Sequence, residues 1–238
     1  MLAATMWGGL AAASLLIGFF LTKRGLSNRN VGLIMGFGAG ALISAIAYEL
    51  VPESIMTGID VALFLGLGAI TFFVGDWIVD RRGGADRKDI TGSQVGSGSA
   101  IFIGTLLDNV PESIVLGMSM LSGGSISVAF LAAVFVSNLP EGVAGTLNLE
   151  AAGRSRQQIL RQWIVLVLIS AACAGLGYAV MDWLPVINGQ YAQAFAAGAM
   201  LTMLADAMMP EAYEHGGILV GLFTVLGFFM ASVLAVMQ

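Results

Sequence analysis

Seven carboxylates of this 238-residue chain stand inside long apolar stretches: Glu49, Glu53, Asp108, Glu112, Glu141, Asp206 and Glu211. An aspartate at the centre of a hydrocarbon-spanning helix costs about 2.5–3.5 kcal/mol even on lenient insertion scales. Such a group persists by taking up a proton, by lining a wet cavity or by binding a cation. Four of the seven directly follow proline, in Val51-Pro52-Glu53, Val110-Pro111-Glu112, Leu139-Pro140-Glu141 and Met209-Pro210-Glu211, which use four of the chain's five prolines. A proline inside a helix lacks an N–H and frees the carbonyl four residues earlier. Those carbonyls belong to Tyr48, Leu107, Val136 and Asp206. Each motif therefore offers a carboxylate and a backbone oxygen together, the donor type that hard cations take. A kink with a protonated packing glutamate would account for one motif, but four of them point to a cation path.

Spacing adds to this. Asp108 and Glu112 are four residues apart and Asn109 and Glu112 three apart, so all three share one helix face, as do Asn138 and Glu141 on a second helix. Two such faces opposed would form an oxygen-rich cage for one or two divalent ions. Glu49 and Glu53 fall near one end of their stretch, and Asp206 and Glu211 near the opposite end of theirs, like stations before and after that cage.

The elements that must hold these groups are membrane helices. The chain is 58% hydrophobic and 11% charged, too little charge to cover a soluble surface of this size. Spans of roughly 20 apolar residues cross a bilayer, and eight are found, at 3–22, 31–55, 59–79, 98–121, 126–148, 159–181, 191–212 and 216–237. They leave no room for a soluble domain, so we expect a single all-α transmembrane domain over 1–238. Apolar-all-round stretches rich in Gly, Ala and Ser fit packed membrane helices and not the alternation of barrel strands. The first span lacks a basic segment ahead of it, which argues against a cleaved signal peptide. Cys173 stands alone in span six and reads as packing.

All ten Lys and Arg residues fall in three connections: Lys23, Arg24 and Arg29; Arg81, Arg82, Arg87 and Lys88; Arg154, Arg156 and Arg161. The connections at 57–58, 122–125 and 182–190 carry none. The positive-inside rule then makes the basic loops cytoplasmic and both termini external in a multi-pass cell-membrane protein. The 80–98 loop is polar and Gly/Ser-rich, and reads as a flexible cytoplasmic linker whose Asp86, Arg87, Lys88 and Asp89 form a solvated surface. No span has an interior Lys or Arg to neutralise its acids. Asp76 is expected to snorkel toward Arg81 or Arg82, and His215, beside Glu214, to be a solvated loop histidine.

The chain also repeats itself in inverted orientation. Residues 40–53 align without gaps to 198–211, bringing Pro52-Glu53 onto Pro210-Glu211. The first runs outward in span two and the second inward in span seven. Asp108-Asn109-Val110-Pro111-Glu112-Ser113 likewise aligns to Ser137-Asn138-Leu139-Pro140-Glu141-Gly142. Spans 1–3 therefore mirror spans 6–8, and span 4 mirrors span 5, as in secondary transporters that alternate access around a midplane site.

With these motifs and this topology the sequence resembles, over essentially its whole length, the ZIP (Zrt/Irt-like) divalent metal transporters. The resemblance implies a mid-membrane metal site, often binuclear, from Asp108, Asn109 and Glu112 with Ser137, Asn138 and Glu141. In it Glu112 and Glu141 would bridge ions, and the span-two and span-seven acids would be entrance and exit groups. It also implies divalent metal as substrate (zinc, iron, manganese or cadmium), carried into the cytoplasm. Two departures bear on the metal: Asp108 stands where the family usually has histidine, and Ser137 where a side-chain ligand is common. A site without imidazole or thiolate is harder and suits Mn²⁺, Mg²⁺ or Ca²⁺ better than a histidine site, though zinc and iron also bind carboxylates well.

The same carboxylates would serve a proton- or sodium-conducting carrier, a metal sensor that does not transport, or an intramembrane hydrolase using paired acids and a water. No His/Cys metal set and no Ser–His or Ser–Lys pair lies within the spans, so we read a transporter and not an enzyme. Lipid and divalent cations are the expected partners, with no organic cofactor and no nucleic acid; a homodimer is compatible with this reading. Cysteines introduced at Ser93 and Gln238 in a Cys173→Ala background are expected to label from opposite faces of sealed cells. Labelling of both from outside would overturn the topology.

Overall fold

The computed structural model describes residues 1–51, 59–85, 87–89, 91, 97–122, 127–183 and 189–237. Among these residues eight helices are long and apolar enough to cross a membrane: α1 Leu2–Arg24, α2 Asn28–Leu50, α3 Ile59–Gly84, α4 Gly98–Met120, α5 Val128–Ala151, α6 Arg156–Trp183, α7 Gln190–Gly216 and α8 Leu219–Val236. No strand occurs among the described residues. The chain is a helical membrane protein of eight spans, as the sequence predicts, with ends differing by a few residues. Pro52 and Glu53 lie outside the described residues.

Packing follows the internal repeat. Helix α2 lies against α8, and α7 against α3, a pair of contacts exchanged when spans 1–3 are mapped onto 6–8. The aligned glycines Gly40 and Gly198 sit at these two crossings. A Cβ on Gly40 would overlap the Thr224 carbonyl of α8, and one on Gly198 the Leu65 carbonyl of α3. In lipid, where burial of apolar surface gives little drive to association, such close backbone approach supplies the packing energy. The repeat reaches the backbone as well. Ile46–Leu50 and Leu204–Met208 are both π-helical turns, at aligned positions one residue ahead of the Pro-Glu motifs. The Val51 N–H donates to the Ile46 carbonyl at 3.0 Å, skipping one residue beyond the α-helical pattern. Pro111 and Pro140, by contrast, sit within uninterrupted helix.

The outer faces of α3 and α8 carry exposed Leu63, Ile70, Leu222 and Phe229, the apolar exterior that a lipid-facing helix requires. The interior joins α2, α4, α5 and α7 through buried Met35, Leu42, Leu116, Phe130 and Met203.

The connection after α3 departs from the sequence expectation. Gly83 takes φ +92° and reverses the chain, a conformation that glycine adopts without steric penalty. The Gly83 carbonyl accepts from the Ser97 N–H (2.9 Å), and the Arg87 N–H donates to the Gly84 carbonyl (3.1 Å). Asn148 of α5 donates to the Asp89 carbonyl at 2.7 Å. These bonds hold Arg87, Lys88 and Asp89 against the bundle, where they are 3%, 5% and 9% exposed. The reading of these three as a solvated surface is thereby corrected. Their charged ends find partners inside, so burial does not leave them unpaired.

The Gly40 crossing gives a direct test. Gly40→Val should destabilise the detergent-solubilised protein by about 1–3 kcal/mol through overpacking. Gly66→Ala should change it little, since nothing lies within 4 Å of a Cβ there. Equal melting temperatures for the two variants would show that the α2–α8 approach is not tight.

Candidate metal centre

Helices α4 and α5 bring together most of the residues singled out from sequence. Asp108, Asn109, Glu112, Ser137, Asn138 and Glu141 are all buried, none more than 4% exposed. Local hydrogen bonds orient several of them. The Asn109 amide donates to the Thr105 carbonyl one turn back (3.0 Å), leaving its oxygen as the atom it can offer a cation. Ser137 donates to the Val134 carbonyl (2.9 Å), which directs its hydrogen away from the cluster.

Asp108 and Glu141 are not left without cations, contrary to the sequence expectation. Lys88 Nζ lies 2.8 Å from Glu141 Oε1 and 3.3 Å from Asp108 Oδ2. One ammonium therefore touches both the α4 and the α5 carboxylate. Arg87 Nε reaches Asp108 Oδ2 at 3.2 Å, its outer nitrogens pair with Asp76 and with Asp80 (3.3 Å), and its planar fork spans all three acids. Burial alone would lower the Lys88 pKa, but the charges of Asp108 and Glu141 outweigh it and leave the pKa raised. The Arg87 guanidinium is pushed up in the same way by Asp108, Asp76 and Asp80 against the effect of burial. Gly104 makes room for this arrangement, since a Cβ there would overlap the Arg87 side chain. The expected partner of Asp76 is corrected accordingly: it binds Arg87, while Arg81 lies over the Trp77 ring at 3.8 Å.

Two members of the cluster remain unsatisfied. Both carboxylate oxygens of Glu112 and both amide atoms of Asn138 are buried with no hydrogen-bond partner among the described residues. Buried polar atoms of this kind are uncommon and call for an explanation, an absent ion among them. The donor set is oxygen-rich and holds carboxylates from two helices, which suits a divalent cation.

The outlying residues divide. Glu49 accepts from Ser127 Oγ at 2.5 Å, at the N-terminal cap of α5, away from the cluster. Asp206 and Glu211 instead line a polar cavity of about 140 Å³ on the side of the basic loops, together with Asp76, Asp89 and Glu214. Arg87 and Lys88 also line this cavity, so it meets the cluster through them. His215 lies on helix α7 and is half-buried, with Nδ1 3.1 Å from Glu211 Oε1, which corrects its reading as a solvated loop residue. Asp89, Glu211 and His215 each bring a ligand atom within 4.8 Å of the others. Sequence reasoning missed Arg87, Lys88 and Asp89. The signal available for them was the mismatch itself: several acids in the spans and a basic pair in the nearest loop.

No family model matches the chain. Among curated proteins it is similar to one from Arabidopsis thaliana named "Putative zinc transporter", with 27% identity over 206 residues, 83% of this chain and 32% of the relative. The chain thus spans about a third of that relative's length. The similarity agrees with the resemblance carried by the Asn-x-Pro-Glu motifs.

In metal-free protein, Arg87→Ala would leave Asp76 and Asp108 short of a buried partner and should destabilise by about 3–5 kcal/mol. Thermal unfolding in detergent measures this. A change within experimental error would show that the guanidinium contacts are not formed.

Proposed function

We propose that this chain is a ZIP-like transporter that moves divalent metal cations across the membrane by alternating access. Asp108, Asn109, Glu112, Asn138 and Glu141 would be its mid-membrane site, with the Ser137 oxygen beside them. The observation that carries this is the pairing of contrasts in one buried cluster: two carboxylates held by side-chain cations, and a glutamate and an asparagine with no partner among the described residues. A site that binds an ion in one state and releases it in another needs ligands that are assembled but not permanently satisfied.

Zinc is the substrate we favour, because the similar Arabidopsis protein is named for it and because zinc lies high in the order of divalent affinities at most sites. The hard donor set extends the candidates to iron, manganese and cadmium. Asp206 and Glu211, on the cavity lined by the basic loop, would receive the ion after release, and Glu49, on the other side of the bundle, would belong to the entrance. With the basic loops cytoplasmic, this order gives uptake into the cytoplasm.

Glu112→Ala should abolish zinc flux into proteoliposomes while leaving insertion and melting temperature nearly unchanged. The substitution removes a ligand of the proposed site and at the same time relieves an unpartnered buried carboxylate. Flux at the wild-type rate in a well-folded Glu112→Ala protein would remove this cluster from the transport path.

A further inference from the structure

Arg87 and Lys88 bring two positive charges to the carboxylates that, in the reading above, receive a divalent ion. Lys88 Nζ touches Asp108 and Glu141 together, which is how a bridging metal would join α4 to α5. Arg87 supplies the second charge on Asp108. A divalent ion cannot take these oxygens while the two side chains hold them, because each oxygen that accepts an ammonium or guanidinium hydrogen is withheld from the ion. The described residues that carry the pair are held by hydrogen bonds to Gly84 and Asn148.

We propose that Arg87 and Lys88 are tethered counter-cations: they occupy the transport site when no ion is bound, and a divalent metal displaces them. The proposal rests on the mid-membrane site reading. Its main consequence is charge balance. Two monovalent groups leave and one doubly charged ion enters, so the net charge of the buried cluster is the same before and after. A monovalent ion that displaced the pair would leave an additional uncompensated negative charge in the interior, which is strongly disfavoured. The pair therefore selects for divalent over monovalent cations, and in the emptied carrier these side chains neutralise Asp108 and Glu141.

Competition sets the expected size of the effect. Where only a minority of molecules have the site open, apparent metal affinity is reduced by that fraction. Lys88→Gln should therefore bind zinc more tightly, by about tenfold if the wild-type site is open one tenth of the time. Gly104→Ala, which preserves every charge but crowds the Arg87 side chain, should shift affinity in the same direction.

The wild-type protein provides a readout that needs no substitution. The chain has two lysines, Lys88 and Lys23, and Lys23 is exposed. Amine acylation of the purified full chain, read by peptide mass spectrometry, should be slow at Lys88 without metal. It should rise relative to Lys23 by about tenfold as zinc is titrated to saturation, again for a site opened from a one-tenth population. In Glu112→Ala protein, zinc should neither bind at the site nor raise the ratio. If Glu112→Ala retains full zinc binding, the site reading itself falls. If Glu112→Ala loses zinc binding while the wild-type Lys88 ratio stays constant across the titration, the site stands and the counter-cation proposal is overturned. Unchanged or weaker zinc affinity in folded Lys88→Gln protein would overturn it as well.

Discussion

Several carboxylates gathered in one low-dielectric space set the terms for the rest of this structure. Charges there must be paired, and each pair must be well made, because desolvation of an ion costs several kcal/mol that only close partners offset. At Asp108 and Glu141 the α4–α5 cluster meets this requirement with residues from outside the spans. That explains features that otherwise look unrelated: the left-handed Gly83, the absent Cβ at Gly104, and an Asn148 amide used to hold the Asp89 carbonyl. Each of them helps bring Arg87 and Lys88 inward. Without the acids, a basic loop at a membrane surface would remain in water.

The same constraint breaks a symmetry that the helices otherwise keep. The backbone treats the two repeats alike, with matched glycine crossings and matched π-helical turns. The connections do not match. Only one end of the bundle carries a basic segment long enough to fold back, and the polar cavity lies at that end. At Glu49 the helix end is met instead by the Ser127 hydroxyl, a neutral donor. A symmetric scaffold can in principle face either side with equal energy. Cations supplied from one side favour the arrangement that lets them reach the acids, which is a difference in energy between the two orientations.

The helical architecture was legible because membrane insertion imposes simple rules on sequence: apolar runs of a set length, one-sided basic loops, and glycine at crossings. The α4–α5 cluster was legible for a related reason, since i, i+3 and i, i+4 spacing on a helix determines which side chains share a face. The mistaken readings all concern charge. Arg87, Lys88 and Asp89 look like a solvated loop because local composition there is polar and glycine-rich, and composition cannot report a tertiary partner. Proximity in the chain points Asp76 to Arg81 or Arg82, yet Arg87 is the one that reaches it, because the turn at Gly83 sends the chain back toward the bundle. The apolar run ends before His215, which points to a loop, whereas the helix continues to Gly216. In each case the acids inside the bundle decided the outcome, and their demand for partners appears only when charge is counted over the whole chain.

Displaced cations also need somewhere to go, and the surroundings of the pair differ in this respect. Arg87 already contacts Asp76 and Asp80 on α3, so a guanidinium that leaves Asp108 still keeps two acids. Its fork can trade one carboxylate for another without a fully unpaired intermediate. Among the described residues Lys88 has no such second hold, and a point charge leaving Asp108 and Glu141 must be met by others. The cavity beside it is lined by Asp206, Glu211 and Glu214 as well as Asp89. On the proposed function those acids would serve two tasks that need the same chemistry: they would receive an outgoing metal, and they would hold the ammonium while the metal occupies the site. An acid-lined vestibule next to a buried basic pair would lower the barrier in both directions, because positive charge would pass between carboxylates and not be stranded in the apolar interior.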